Sequence, residues 1–159
     1  MGRLGREIIE TDVKAVVKAL RAAYADEWLA HYYFLHAAQV ATGLNAPPVI
    51  ALLKTKATDE LGHAQLVGER ILELGGELPS DWAEIPQLAN GKKFTMPKNN
   101  SDVKGILKAA LAVERCAIGV YQNLLKSTLH KDSVTQELAE TLLSDEVKDE
   151  EEIENLIGD

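Results

Sequence analysis

Cysteine is nearly absent from this chain. The single thiol, Cys116, excludes an intrachain disulfide, a cysteine-built zinc site and a CxxC redox pair. It reads as a small apolar filler. Aromatic residues make up only 5% of the 159 residues, which points away from a β-sandwich and toward an aliphatic interior rich in Ala and Leu. No uninterrupted apolar run reaches the ~18 residues of a membrane-spanning helix. The N-terminal stretch MGRLGREIIETD meets acidic residues at once and has no apolar signal core, so a cytoplasmic rather than a secreted protein is expected. Positive charge is also short: 17 Lys and Arg against 25 Asp and Glu leave a net charge of -8. The basic residues are scattered, with only Lys92 and Lys93 adjacent, so DNA binding is not expected. With 46% apolar and 26% charged residues the composition is that of a globular protein, expected to form one domain over residues 1–159.

What is present is helical periodicity with clear punctuation. Four long helices are expected over residues 11–42, 47–74, 101–130 and 133–157. Thr11 stands at the N-cap position of the first. Gly43, Asn45 and the Pro47-Pro48 pair end it and start the second, because proline is tolerated in a helix's first turn. Gly75-Gly76 offers a left-handed C-cap to the second. Ser101-Asp102 opens the third, and Ser133, with Gln136 in capping-box spacing, opens the fourth. Between the hairpins, residues 75–100 carry Pro79, Pro86, Gly91 and Pro97 and cannot form one regular element. Two short loops force antiparallel neighbours, and the long connection can run the length of the bundle and deliver the third helix parallel to the second. An all-α four-helix bundle of two antiparallel hairpins joined by a long crossover follows, with no fifth helix.

The apolar stripes of these helices carry an anomaly. Glu27 lies between Leu20 and Phe34 on the first, Glu60 and His63 between Leu53 and Val67 on the second, Glu114 between Leu107 and Tyr121 on the third, and Glu146 and Asp149 between Leu142 and Ile153 on the fourth. Acids are almost never buried without a partner, because desolvating a lone carboxylate costs several kcal/mol. Among cations, Lys56 alone shares such a stripe, with Arg115 and Lys148 near it. A pair of divalent metal ions neutralises four core carboxylates more directly. Glu60 and His63, at i and i+3, can reach one ion, and Glu146 and Asp149 repeat the spacing. Together with Glu27 and Glu114 they match the di-iron bundle pattern, a Glu from each of two helices and a Glu-x-x-His from each of the others, with Asp149 at the second His position. Mixed oxygen and nitrogen donors suit Fe, with Mn or Zn as possible substitutes.

On Asp59-Glu60-Leu61-Gly62-His63-Ala64, Tyr33-Phe34-Leu35-His36-Ala37, Leu143-Ser144-Asp145-Glu146 and the nearly equal separations of Glu27 from Glu60 and of Glu114 from Glu146, the chain resembles the ferritin-like superfamily, especially bacterioferritins and Dps-like cage proteins. The resemblance implies Glu27 and Glu114 as terminal ligands, Glu60 and Glu146 as bridging ligands, and His63 and Asp149 on one iron each. It implies a ferroxidase that oxidises Fe(II) with hydrogen peroxide or dioxygen and stores ferric iron in a homo-oligomeric shell, protecting against oxidative stress. Strict alignment of Tyr33 to Ala37 would place Asp26 at the ligand position, whereas the helix face favours Glu27. Asp149 in place of His leaves five carboxylates against two divalent ions, one negative charge in excess, with Glu150 one residue further on as a fallback. Leu61 stands where haem-binding bacterioferritins have a Met, so no haem is expected. With no fifth helix and no basic tail, a twelve-subunit shell is favoured over twenty-four, and DNA contact is again disfavoured. His31 reads as a structural or outer partner, His36 and His130 as surface residues, and Tyr24, Tyr32 and Tyr121 as packing, with a Tyr or Trp28 near the metals as an alternative electron donor. Alternatives for the same residues are a rubrerythrin-like or manganese-catalase-like peroxide-removing enzyme without storage, or a noncatalytic metal-binding bundle.

Overall fold

Aspartates open three of the four long helices. Asp12 caps α2 (Val13–Val40) by accepting from the Lys14 and Ala15 amides, Asp102 caps α5 (Val103–Thr128) through Gly105, and Asp132 caps α6 (Ser133–Ile157) through Thr135. Each satisfies amides that a helix's first turn leaves without a partner. Thr11 is therefore not the N-cap of the first long helix; Asp12, one residue later, is. In the same way Asp132, not Ser133, caps the last. Helix α3 (Ala46–Glu73) starts without a side-chain cap, at Pro47 and Pro48.

The end of α3 shows how one glycine pair closes a helix. Gly75 sits at φ +78, its amide bonds Leu72 and the Gly76 amide bonds Ile71, the two contacts of a Schellman motif. A Cβ on Gly76 would stand 2.6 Å from Val17 Cγ1, so the turn can lie flat against α2 only with glycine there.

The computed structural model describes residues 2–91 and 95–158, so the Lys92-Lys93 pair lies outside the described residues. These residues form an all-α bundle with two short additions the periodicity did not announce, α1 (Arg3–Glu7) at the start and α4 (Ile85–Leu88) within the crossover, preceded by a 3-10 turn at Trp82–Glu84. Both are too short to carry an apolar stripe. Helices α2 and α3 form one antiparallel hairpin and α5 and α6 the other; α2 lies beside α5 and α3 beside α6. Thr42 N–H donates to the Asn100 carbonyl at 3.0 Å and Glu10 N–H to the Lys131 carbonyl at 2.7 Å. The start of α5 therefore sits at the end of α2, and α5 runs parallel to α3, as the long crossover requires. Among the described residues no helix is long and apolar enough to cross a membrane.

Two apolar clusters fill the bundle. One gathers Phe34, Leu53, Ile106, Leu107 and Ile153 toward the α2–α3 loop; the other gathers Leu20, Val67, Ile71, Tyr121 and Leu142 toward the opposite end. Each fully buried Leu, Ile or Phe contributes roughly 1.5–3 kcal/mol of transfer free energy. The carboxylates lie between the two clusters. The second cluster ends at a buried ion pair, Arg70 with Asp132 at 2.9 Å, in which Arg70 also donates to Thr135 and Glu73. Every strong donor and acceptor there is matched, which is the condition for burying such a pair.

Candidate metal centre

Heptad spacing carries Glu27 onto the same face of α2 as Leu20 and Phe34, and both of those are fully buried. The same logic buries Glu60 and His63 on α3, Glu114 on α5, and Glu146 and Asp149 on α6. Glu27, Glu60, His63 and Glu146 each offer a ligand atom, and these atoms lie within 4.8 Å of one another. His63 Nδ1 is 3.0 Å from Glu146 Oε1, 3.4 Å from Glu60 Oε2 and 3.7 Å from Glu27 Oε2.

Glu114 and Asp149 complete the six sequence candidates but stand differently. Glu114 has no exposure at all, and neither of its carboxylate oxygens has a hydrogen-bond partner. Asp149 is tied to Lys56, whose Nζ lies 2.5 Å from Asp149 Oδ1 and 2.6 Å from Glu152 Oε2. Asp26 is turned out of the centre: it accepts from the Gly91 amide and from Asn90 Nδ2, both at 2.8 Å, and anchors the crossover to α2. Glu150 is held by Arg115 at 2.7 Å on the exposed face.

The electrostatics are those of carboxylates crowded without enough positive charge. Burial, then the charges of Glu27 and Glu146, push Glu60 well above the usual carboxylate range. Burial and Glu146 do the same to Glu114. Glu146 is pushed up to about 7 by burial, with His63 pulling the other way. Burial would raise Glu27 too, but the adjoining Glu60, the charge of His63 and the Tyr121 hydroxyl together outweigh it and leave Glu27 below its ordinary value. Burial opposes a charged His63, yet Glu146, Glu27 and Glu60 together hold it protonated. Without a cation such a set is neutralised only by retained protons and an imidazolium.

The donor set fits a divalent ion. Glu27 Oε2, Glu60 Oε2, His63 Nδ1 and both oxygens of Glu146 are buried and lack hydrogen-bond partners among the described residues. Buried polar atoms in native proteins are otherwise nearly all paired, and an oxygen-rich set with one imidazole suits Fe or Mn.

Three residues support the centre, and of these Tyr121 differs from its reading in the sequence. Tyr121 is no mere packing residue: its hydroxyl donates to Glu27 Oε1 from seven residues beyond Glu114, on the same face of α5. That spacing was the available signal. His31 Nδ1 meets the Ala57 carbonyl at 2.5 Å and ties α2 to α3 one turn before Glu60. Lys56 lies on the core stripe of α3, and its engagement of Asp149 comes from a helix the stripe does not reveal.

Two openings flank the centre. A cavity of about 610 Å³ reaches Glu27 and Glu60 from the side of α2 and α5, past Ala30, Tyr33, Ala109 and Cys116. Across the bundle, a groove of about 580 Å³ between α3 and α6 is lined by Asp59, Glu69, Asp145 and Asp149 and ends at His63.

Comparison with known proteins agrees with this architecture. Residues 17–159 match the ferritin family, described as a ferritin-like domain. Over 146 residues, 92% of this chain and 78% of its relative, the sequence is 34% identical to the DNA protection during starvation protein of Pyrococcus furiosus. A dodecameric thioferritin, the bacterioferritin-related protein from Bacteroides fragilis, superposes with a TM-score of 0.93 at 31% identity, covering 99% of this chain and 94% of that one. Dps from Thermosynechococcus elongatus shares the fold, with a TM-score of 0.83 at 16% identity over 91% of this chain and 90% of its own.

Proposed function

This chain belongs to the ferritin-like family, and from that premise we propose that the buried carboxylate–histidine centre is a ferroxidase site. It takes Fe(II) as substrate, gives the electrons to hydrogen peroxide or dioxygen, and releases ferric iron into the interior of a homo-oligomeric shell. The observation that carries this reading is the set Glu27, Glu60, His63 and Glu146, gathered within 4.8 Å in the core and open to a ligand.

Each part of the site has a task. With peroxide, two ferrous ions surrender one electron each, and the oxidant takes up two protons and leaves as two waters. Burial raises the proton affinity of Glu60 and Glu146, and a cation that takes their oxygens competes with those protons, so proton release accompanies uptake. Tyr121 fixes the rotamer of Glu27 by occupying one oxygen and leaving Oε2 open. The acidic groove ending at His63 offers Fe(II) an attractive approach, with Asp145 Oδ2 at 3.8 Å from His63 Nε2. The mostly apolar cavity on the other side suits a small neutral oxidant.

A twelve-subunit shell is supported by the dodecameric relative. Protection in this reading comes from consuming Fe(II) and peroxide together. A net charge of -8 with scattered basic residues argues against DNA as a partner.

The test is anaerobic Fe(II) titration of the metal-free protein, followed by peroxide and then air, with ferric absorbance and particle mass as readouts. About two irons per chain, rapid oxidation and large further retention in a particle of shell size establish the function. Oxidation that stops at the site, with no retained iron, would instead identify a peroxide-removing enzyme without storage. Binding without oxidation would leave a structural metal site.

A further inference from the structure

Asp149 and His63 occupy equivalent positions, each three residues after a core Glu, yet they point to different partners. His63 turns inward to Glu146 at 3.0 Å. Asp149 turns to Lys56, at 2.5 Å. Lys56 lies one turn before Glu60 on α3, is 2% exposed, and reaches across to α6, where Glu152 holds the other side of its ammonium at 2.6 Å. A buried lysine is kept charged only by such partners, and here both are acids. The residues gathered within 4.8 Å include neither Asp149 nor Glu114.

We propose that Lys56 withholds Asp149 from the second metal position, so that the chain offers one complete divalent-cation site and a second that closes only when Asp149 leaves the lysine. This rests on the metal-centre reading above. The first site has three carboxylates and an imidazole already gathered in the core. The second has Glu114, a share of the bridging acids, and an Asp held by an ammonium. Charge supports the assignment. Two divalent ions leave one of the five carboxylates unbalanced, and Lys56 sets a positive charge beside it, shared with the more exposed Glu152. The excess that the sequence implied therefore lies next to a lysine. The cost falls on coordination: a cation entering the second position must either manage without Asp149 or compete with Lys56 for it. The two equivalents therefore bind with unequal affinity.

The experiment is anaerobic titration of the full-length, metal-free protein with Co(II), following ligand-field absorbance and bound metal by equilibrium dialysis. The wild type should bind in two steps, the second at least about tenfold weaker. In Lys56→Met and Lys56→Gln, Asp149 is freed and the second step should tighten by about tenfold, while the first stays put. Adding Asp149→Asn to Lys56→Met should return the second step to its weak value. Circular dichroism checks folding, and the amide variant serves if Met is not tolerated. Two equally tight steps in the wild type overturn the proposal, as does a second step unmoved in the Lys56 variants. Absence of any Co(II) uptake, with Glu60→Gln behaving like the wild type, sinks the metal-centre reading itself. An intact first step with an unmoved second sinks only the role given to Lys56.

Discussion

The two hairpins of this bundle place acids at the same heights and use them differently. From α2 and α3 come Glu27, Glu60 and His63, which converge on Glu146 and leave buried ligand atoms open. From α5 and α6 come Glu114, Glu146 and Asp149, of which Asp149 is paired with Lys56, a residue of the other hairpin. One substitution of residue type at an i+3 position separates them. An imidazole beside carboxylates turns toward them, because their charge holds its proton. The carboxylate in the equivalent place, Asp149, is captured instead by the Lys56 ammonium. In the reading proposed above, equivalent i+3 positions therefore give one half-site open to a cation and one guarded by a lysine.

Glu60→Gln against Glu114→Gln is the strongest way to break the comparison. Glu60→Gln should weaken the first divalent equivalent by roughly a hundredfold or more and abolish oxidation, whereas Glu114→Gln should spare the first equivalent and weaken the second. Calorimetry with Zn(II) separates the two steps, and equal losses in both variants would erase the distinction between hairpins.

Acidity should act in opposite directions on the metal-free fold and on metal uptake. Glu60, Glu114 and Glu146 have folded-state pKa values above their ordinary ones. The folded state therefore holds more protons than the unfolded chain, and stability present below about pH 4.5 is lost as pH rises, for Glu146 through about 7. The raised pKa of His63 acts the same way, its contribution complete below about 6.5 and lost only at higher pH. The Tm of chelated protein should thus fall by several degrees between pH 5 and 8, while Zn(II) affinity rises over the same interval. A chelated Tm that climbs with pH would contradict the crowded-acid picture.

Asp149→His sharpens the comparison by giving the second hairpin the first one's residue. The second equivalent should tighten by about tenfold in the same calorimetric titration, without change in the first. Unchanged stoichiometry and affinity would remove position 149 from the centre.

The smallest effect belongs to Asp26, adjacent to Glu27 but bonded to Gly91 and Asn90. Asp26→Asn should cost about 1 kcal/mol in denaturant unfolding, through a weakened hold on the crossover, and leave both metal equivalents as they were. A loss of metal affinity would move the site one residue along α2.

Local repetition is what the sequence could express by itself. The stripes that bury Glu27, Glu60, Glu114 and Glu146, the glycine pair after Leu74, the i+3 pairing of Glu60 with His63 and the long proline-marked crossover all follow from helical geometry within one segment. Choices between Asp26 and Glu27, or between packing and hydrogen bonding for Tyr121, depend on what faces a side chain from another helix. Only the tertiary structure decided those: α5 sets the Tyr121 hydroxyl against Glu27, the crossover folds Gly91 over Asp26, and the placement of α3 beside α6 puts Lys56 against Asp149. The physical reason is range. Periodicity fixes which face of a helix is buried, but whether a buried charge meets a metal, a hydroxyl or an ammonium is set by residues up to 96 positions away.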